Sequence, residues 1–91
     1  MAKMENEVKW TNRATRQLTM IDQRYVDAIR RKVAILKNFP NVELDIENLG
    51  DNKYRLRHGD YRIFFEWKKN EQPKIIRIQK IMRRQSKTYK N

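Results

Sequence analysis

The chain has 91 residues, no cysteine and one histidine, and 22 Lys+Arg against 11 Asp+Glu give it a net charge of +11. That length allows one small domain, residues 1–91, near the lower end of what a single core supports. Disulfides, cysteine zinc sites and histidine metal clusters are excluded, no run is apolar enough to span a membrane, and neither metal nor cofactor is expected.

In chain order, the N-terminal "MAKMENEVKW" has no apolar run behind its charges, which argues against a secretory signal and for a cytoplasmic protein. Glu5 to Trp10 reads as a short strand with Val8 and Trp10 on one face. Thr11 or Asn12 caps a first helix that puts Ala14 and Leu18 on one side. Asp22 caps a second, in which Val26, Ile29, Val33 and Leu36 recur at three–four spacing until Pro40 ends it. Residues 41–52, "NVELDIENLGDN", read as an acidic, turn-rich loop tacked to the core by Leu44, Ile46 and Leu49. Lys53–His58 then alternates as a half-buried strand, Gly59-Asp60 supplies a turn, and Tyr61–Trp67 forms the next strand. Lys74–Met82 is a third strand, apolar on both faces and hence central, and the tail "RRQSKTYKN" is expected to form a short helix. The fold class is therefore α+β, in two layers. A two-helix hairpin, residues 12–39, covers one face of an antiparallel sheet of three to four strands.

Charge is unevenly placed. Residues 1–50 carry 9 Lys+Arg against 7 Asp+Glu, whereas residues 51–91 carry 13 against 4, a balance of +9. A basic half of this kind marks a polyanion binder. Strand parity puts Lys53, Arg55 and Arg57 on one face, and Arg62, Phe64 and Glu66 share a face of the next strand. Tyr61, Ile63, Phe65 and Trp67 form the opposite stripe and are read as core, with Trp10 beside them. Four cations on one small patch repel each other unless something anionic sits among them. The N-terminal Arg13, Arg16, Arg24, Arg30 and Arg31 face a polyanion backbone or solvent.

The ordered signature "YRLRHGDYRIFFEW…IIRIQKIMRRQSKTY", the element order, the size and the basic charge resemble the RelE/ParE superfamily of bacterial toxins from type II toxin–antitoxin systems. The local pattern is closer to the RelE branch, whose members are metal-independent ribonucleases that cut mRNA in the A site of the 70S ribosome. The ParE branch shares the fold but poisons DNA gyrase. The resemblance implies a cognate antitoxin protein as partner, and a toxin–antitoxin complex that binds operator DNA through the antitoxin. It also implies a catalytic set: a basic pair at Arg55 and Arg57, an arginine after the turn at Arg62, an arginine at Arg83 and a tyrosine at Tyr89. Lys53, Lys80, Arg84 and Phe64 are expected to bind RNA.

Such an enzyme lets the RNA 2′-hydroxyl attack the adjacent phosphorus, leaving a 2′,3′-cyclic phosphate. The guanidinium forks suit the charged phosphorane. The RelE pair is lysines, and arginine is not a general base, so proton transfer falls to another group. His58, Lys53 and Glu66 are the candidates, with a role in the turn as the alternative for His58 and an ion pair with Arg62 the alternative for Glu66. Tyr89 is read either as a base-stacking group or as one that polarises the attacking hydroxyl.

Overall fold

Two capped helices and five strands organise residues 5–84, the part of the chain that the computed structural model describes. They run β1 (Glu7–Trp10), α1 (Asn12–Thr19), α2 (Gln23–Ile35), β2 (Ile46–Gly50), β3 (Lys53–His58), β4 (Tyr61–Lys68) and β5 (Ile75–Arg83). The expected C-terminal helix, with Tyr89, lies outside the described residues.

Each helix starts where a side chain can accept an orphan backbone N–H. Thr11 Oγ1 accepts from the Ala14 amide at 3.1 Å and donates to the Ile78 carbonyl at 2.9 Å, which pins the start of α1 to β5. Asp22 Oδ1 accepts from the Arg24 amide at 2.9 Å, and the Arg24 guanidinium grips both carboxylate oxygens. That grip holds the Asp22 carboxyl down at about 2. After α2 the chain makes a tight turn at Leu36–Asn38, and Phe39 becomes extended because Pro40 follows it.

The sheet order is β1-β5-β4-β3-β2, with β1 parallel to β5 and every other pair antiparallel. Ala14, Leu18, Val26, Ile29 and Val33 from the helices close over Leu56, Ile63, Phe65, Ile76, Ile78 and Ile81 of the sheet. Phe39 plugs one end, edge-on to Tyr54, Phe65 and Trp67 at 4.8, 5.4 and 5.0 Å between ring centres. β5 has neighbours on both sides, as its two apolar faces imply.

Two features depart from the sequence reading. The sheet has five strands rather than three to four, because the stretch read as an acidic loop contains β2, and it is mixed rather than wholly antiparallel, because β1 runs parallel to β5. A left-handed Asp51-Asn52 pair (φ 53° and 60°) turns β2 back into β3, the backbone that a two-residue hairpin requires. As an edge strand, β2 buries little. Val42, Leu44 and Ile46 pack on the core, but Leu49 is 43% exposed and does not.

The second departure is a bulge in β5. Phe64 pairs with Lys80 but Phe65 pairs with Ile78, so Gln79 is an extra residue. Ile76 and Ile78 face the helices before it, and Ile81 does so after it. Strict alternation is broken, Lys80 and Met82 turn to the uncovered face, and Arg83 turns to the helix side opposite Tyr61.

A buried asparagine joins the layers. Asn6 Nδ2 donates to the carbonyls of Leu36, Lys37 and Phe39 at 3.1, 3.3 and 2.9 Å, while its Oδ1 accepts from Trp67 Nε1 at 2.9 Å. Asn6→Ala strands these groups and should destabilise the fold by roughly 2–3 kcal/mol in urea denaturation. A loss below about 0.5 kcal/mol, the range of an ordinary surface substitution, would show that Asn6 is no hub.

His58 also faces the helix side. Its Nδ1 is buried with no hydrogen-bond partner, and burial, helped by the Lys32 charge, lowers its pKa. The unfolded chain therefore takes up this proton more readily than the native one, whose value lies below the usual figure of about 6.5. The resulting contribution to stability is intact above about pH 6.5 and disappears as pH falls through the native value. Wild type should lose more stability on acidification than His58→Gln, read from urea midpoints at several pH values; equal losses would contradict this.

Candidate functional site

Among the described residues the helices leave the other face of the sheet open, and the strand register sets its side chains in rows. Arg57 lies directly opposite Arg62, Arg55 opposite Phe64, and Lys53 opposite Glu66. Across the next ladder Met82 continues the first row, Lys80 the second and Arg77 the third. Lys9 of β1 extends the third row, since it pairs with Arg77. The basic residues of the sequence reading are thus gathered on one surface: Lys53, Arg55, Arg57, Arg62 and Lys80.

The like charges of Arg57 and Arg62 face each other about 5 Å apart at Cβ, an arrangement that destabilises a sheet unless it is relieved. Arg62 turns its guanidinium to the hairpin, where Nη1 donates to the Gly59 and Tyr61 carbonyls at 2.8 and 3.1 Å. Gly59 holds that turn at a φ of 57°, a left-handed conformation that L side chains rarely adopt. Arg57 Nε lies 3.5 Å from Asp45 Oδ2, and Arg55 Nη2 pairs with Glu47 Oε1. The acidic segment before β3 is therefore the internal counter-ion of the basic pair. Sequence reasoning missed Asp45 and Glu47 as site residues. The signal was there: Val42, Leu44 and Ile46 alternate with Glu43, Asp45 and Glu47, a strand period with its acids outward.

Phe64 stands at the centre of this face, half-buried. Arg55 Cζ lies 5.9 Å and Lys80 Nζ 4.8 Å from its ring centre, so cations flank the ring on both sides. An aromatic surface set among cations suits an unpaired base with phosphates on either side.

The remaining predicted residues fall elsewhere. Glu66 keeps the parity of Arg62 but does not pair with it; its Oε1 accepts from Gln79 Nε2 at 3.4 Å and lies 3.9 Å from Lys68 Nζ. His58 and Arg83 lie on the helix side, where with Tyr25, Gly59, Asp60 and Tyr61 they line a separate pocket of about 210 Å³. The Arg83 guanidinium sits 5.9 Å over the Tyr61 ring. Arg84 is exposed just past β5, with its backbone N–H donating to the Asp60 carbonyl. Tyr89 lies outside the described residues.

Three solved structures share this architecture. The RelBE2 toxin–antitoxin complex of Mycobacterium tuberculosis contains a chain of TM-score 0.71 and 19% identity, matched over 88% of this chain and 99% of that one. The archaeal RelE–RelB complex of Pyrococcus horikoshii gives 0.72 and 26%, over 91% and 99%. The RelB–RelE antitoxin–toxin complex of Methanococcus jannaschii gives 0.63 and 23%, over 82% and 88%. No curated protein sequence matches the chain significantly. A family model does: the ParE toxin of the type II toxin–antitoxin system parDE matches residues 8–87. With nearly the whole chain inside that match, this protein belongs to the ParE toxin family of type II toxin–antitoxin systems, within the RelE/ParE superfamily.

Proposed function

We propose that this toxin is a metal-independent endoribonuclease that cuts mRNA in the A site of the 70S ribosome and so blocks translation in the cytoplasm. The observation that carries the proposal is the uncovered sheet face on which Arg55 and Lys80 flank Phe64, with Arg57 and Arg62 in the adjacent row. Phe64 stacks on an unpaired base, Lys80, Lys53 and Arg84 hold flanking phosphates, and the three arginines grip the scissile one. The 2′-oxygen attacks phosphorus, the bond to the 5′-oxygen breaks, and a 2′,3′-cyclic phosphate and a 5′-hydroxyl remain. Fixed guanidinium donors stabilise the charge that grows on the phosphorane, without reorganising during the step.

Of the three proton-transfer candidates, Lys53 and Glu66 share the open face, opposite each other in the third row, and His58 does not. Arg83 stands on the helix side of the same sheet end, so its part is to position the end of the site and, with Tyr89, to hold the substrate strand. In the resting protein Asp45 and Glu47 occupy the arginines, and an incoming phosphate must displace them. A cognate antitoxin is the expected partner, as in the three complexes above, and it would carry the complex to operator DNA.

A second reading is a gyrase inhibitor without catalysis, and the family model's own description, ParE, favours it. Primer extension on mRNA translated in a purified system separates the two. Cuts inside translated frames, unchanged by excess chelator when ribosomes are preassembled, are the expected result. Normal translation with loss of gyrase supercoiling would establish the alternative.

Arg62→Ala should slow cleavage more than tenfold with the fold intact, since one transition-state donor is commonly worth about 10²–10³ in rate. An unchanged rate would remove the arginines from the chemistry. Glu47→Gln should tighten binding of single-stranded RNA, because it removes the anion that competes for Arg55. Weaker binding in fluorescence anisotropy would contradict the role given to that carboxylate.

A further inference from the structure

The basic surface does not stop at the arginines. At the far end of the open face, a cleft of about 590 Å³ lies between β1, β4 and β5, and Lys9, Lys68 and Arg77 line it together with Trp10, Ile75 and one carboxylate, Glu71. Register explains how it forms. Lys9 and Arg77 are direct partners in the parallel β1–β5 ladder, and Lys68 is the partner of Ile75 in the β4–β5 ladder. Two cations therefore stand on adjacent strands about 4.8 Å apart. Arg77 is the less neutralised of the two. Among the described residues Arg77 has no carboxylate in ion-pair contact, and Lys9 reaches only Glu7 at 3.6 Å on its own strand. Lys68 is 3.9 Å from both Glu66 and Glu71. Of the three cations Arg77 alone, among the described residues, thus differs from Arg55 and Arg57, each of which has a carboxylate brought to it by the segment around β2.

We propose that this cleft is a second backbone-phosphate site, which holds the stretch of single-stranded RNA flanking the one gripped by Arg55, Arg57 and Arg62. The proposal deepens the reading above and rests on it for the identity of the polyanion. The two sites share one surface. From the Arg57 row to the Arg77 row is four residues along the strands and from β3 to β5 is two strand spacings, roughly 16 Å in all. Phe64 and Lys80 lie between them, and Glu66, between Lys53 and Arg77 in the third row, is the carboxylate a crossing strand must pass. The cleft offers ammonium and guanidinium groups, which grip phosphate without reading sequence. It therefore adds affinity and direction, and no base preference. An acidic protein segment is the competing occupant of so basic a cleft.

The test compares wild type, a Lys9→Gln/Arg77→Gln double variant, Lys68→Gln and Arg62→Ala, each checked for an unchanged melting temperature. Affinity for a fluorescein-labelled oligouridylate is measured by anisotropy over a series of salt concentrations, and affinity for a polyglutamate peptide in parallel. Each neutralised phosphate contributes about 0.7 to the slope of log affinity against log salt for single strands. The double variant should lower that slope by about 1.4, and Lys68→Gln by about 0.7, with little effect on polyglutamate. An unchanged slope in both, or no RNA binding by wild type, overturns the second site. Loss of polyglutamate binding with RNA binding intact also overturns it and assigns the cleft to an acidic protein. Cleavage is scored separately. If the slope falls as expected but wild type cuts no mRNA on ribosomes, the site stands as an RNA-backbone site and the nuclease reading fails. If wild type cuts and Arg62→Ala does not, while the slopes stay unchanged, only the second site falls.

Discussion

The register of β3 and β4 sets two arginines directly opposite each other, and the fold must hold them there. Arg57 and Arg62 are direct cross-strand partners, Arg55 is one row away, and all three project from the uncovered side. Like charges so placed oppose strand pairing. Three local devices offset this: the Gly59 turn offers carbonyls to Arg62, Asp45 lies beside Arg57, and Glu47 pairs with Arg55. β2 is short, exposed and poor in core contacts, but it lays an acidic edge against the basic pair. Exposed ion pairs of this kind are weak, about 0–1 kcal/mol each, which suits counter-ions that a stronger anion is to displace.

The same economy explains the division of the sheet. Its inner face is an apolar layer under two helices, with Asn6 satisfying carbonyls where α2 ends and anchoring the Trp67 indole. Among the described residues its outer face has no apolar cover, and its one large aromatic, Phe64, is flanked by cations. The bulge at Gln79 separates the two roles within β5: isoleucines stay inward on both sides of it, Lys80 joins the outer surface and Arg83 joins the helix side.

Much of this was legible in the sequence, because the elements concerned have strong periods and clear stops. Thr11 and Asp22 cap the helices as read, Lys53–His58 has the bounds of β3, and the parity of Arg55, Arg57, Arg62 and Phe64 is that of the structure. β2 was missed because Asn48 and Gly50 within it, and Asn41 and Asn52 around it, read as turn chemistry and its burial is slight. The alternation of Leu44 and Ile46 with Asp45 and Glu47 was the better guide. The two faces of β5 could not be followed to Arg83 by period alone, since one bulged residue reverses the parity beyond it. An ion pair with Arg62, one of the two roles read for Glu66, rests on parity, which fixes the face but not the distance; the Arg55–Phe64 row lies between them.

The central claim is that RNA binds the uncovered sheet face by displacing the carboxylates of the β2 edge. The most direct measurement is an NMR titration with single-stranded RNA that follows the guanidinium Nε–H signals and the side-chain carboxyl carbons. The account predicts that Arg55, Arg57 and Arg62 shift together with Asp45 and Glu47, while Arg13, Arg30 and Arg31 on the helices stay in place. Shifts confined to the helix arginines, with Asp45 and Glu47 unmoved, would contradict it.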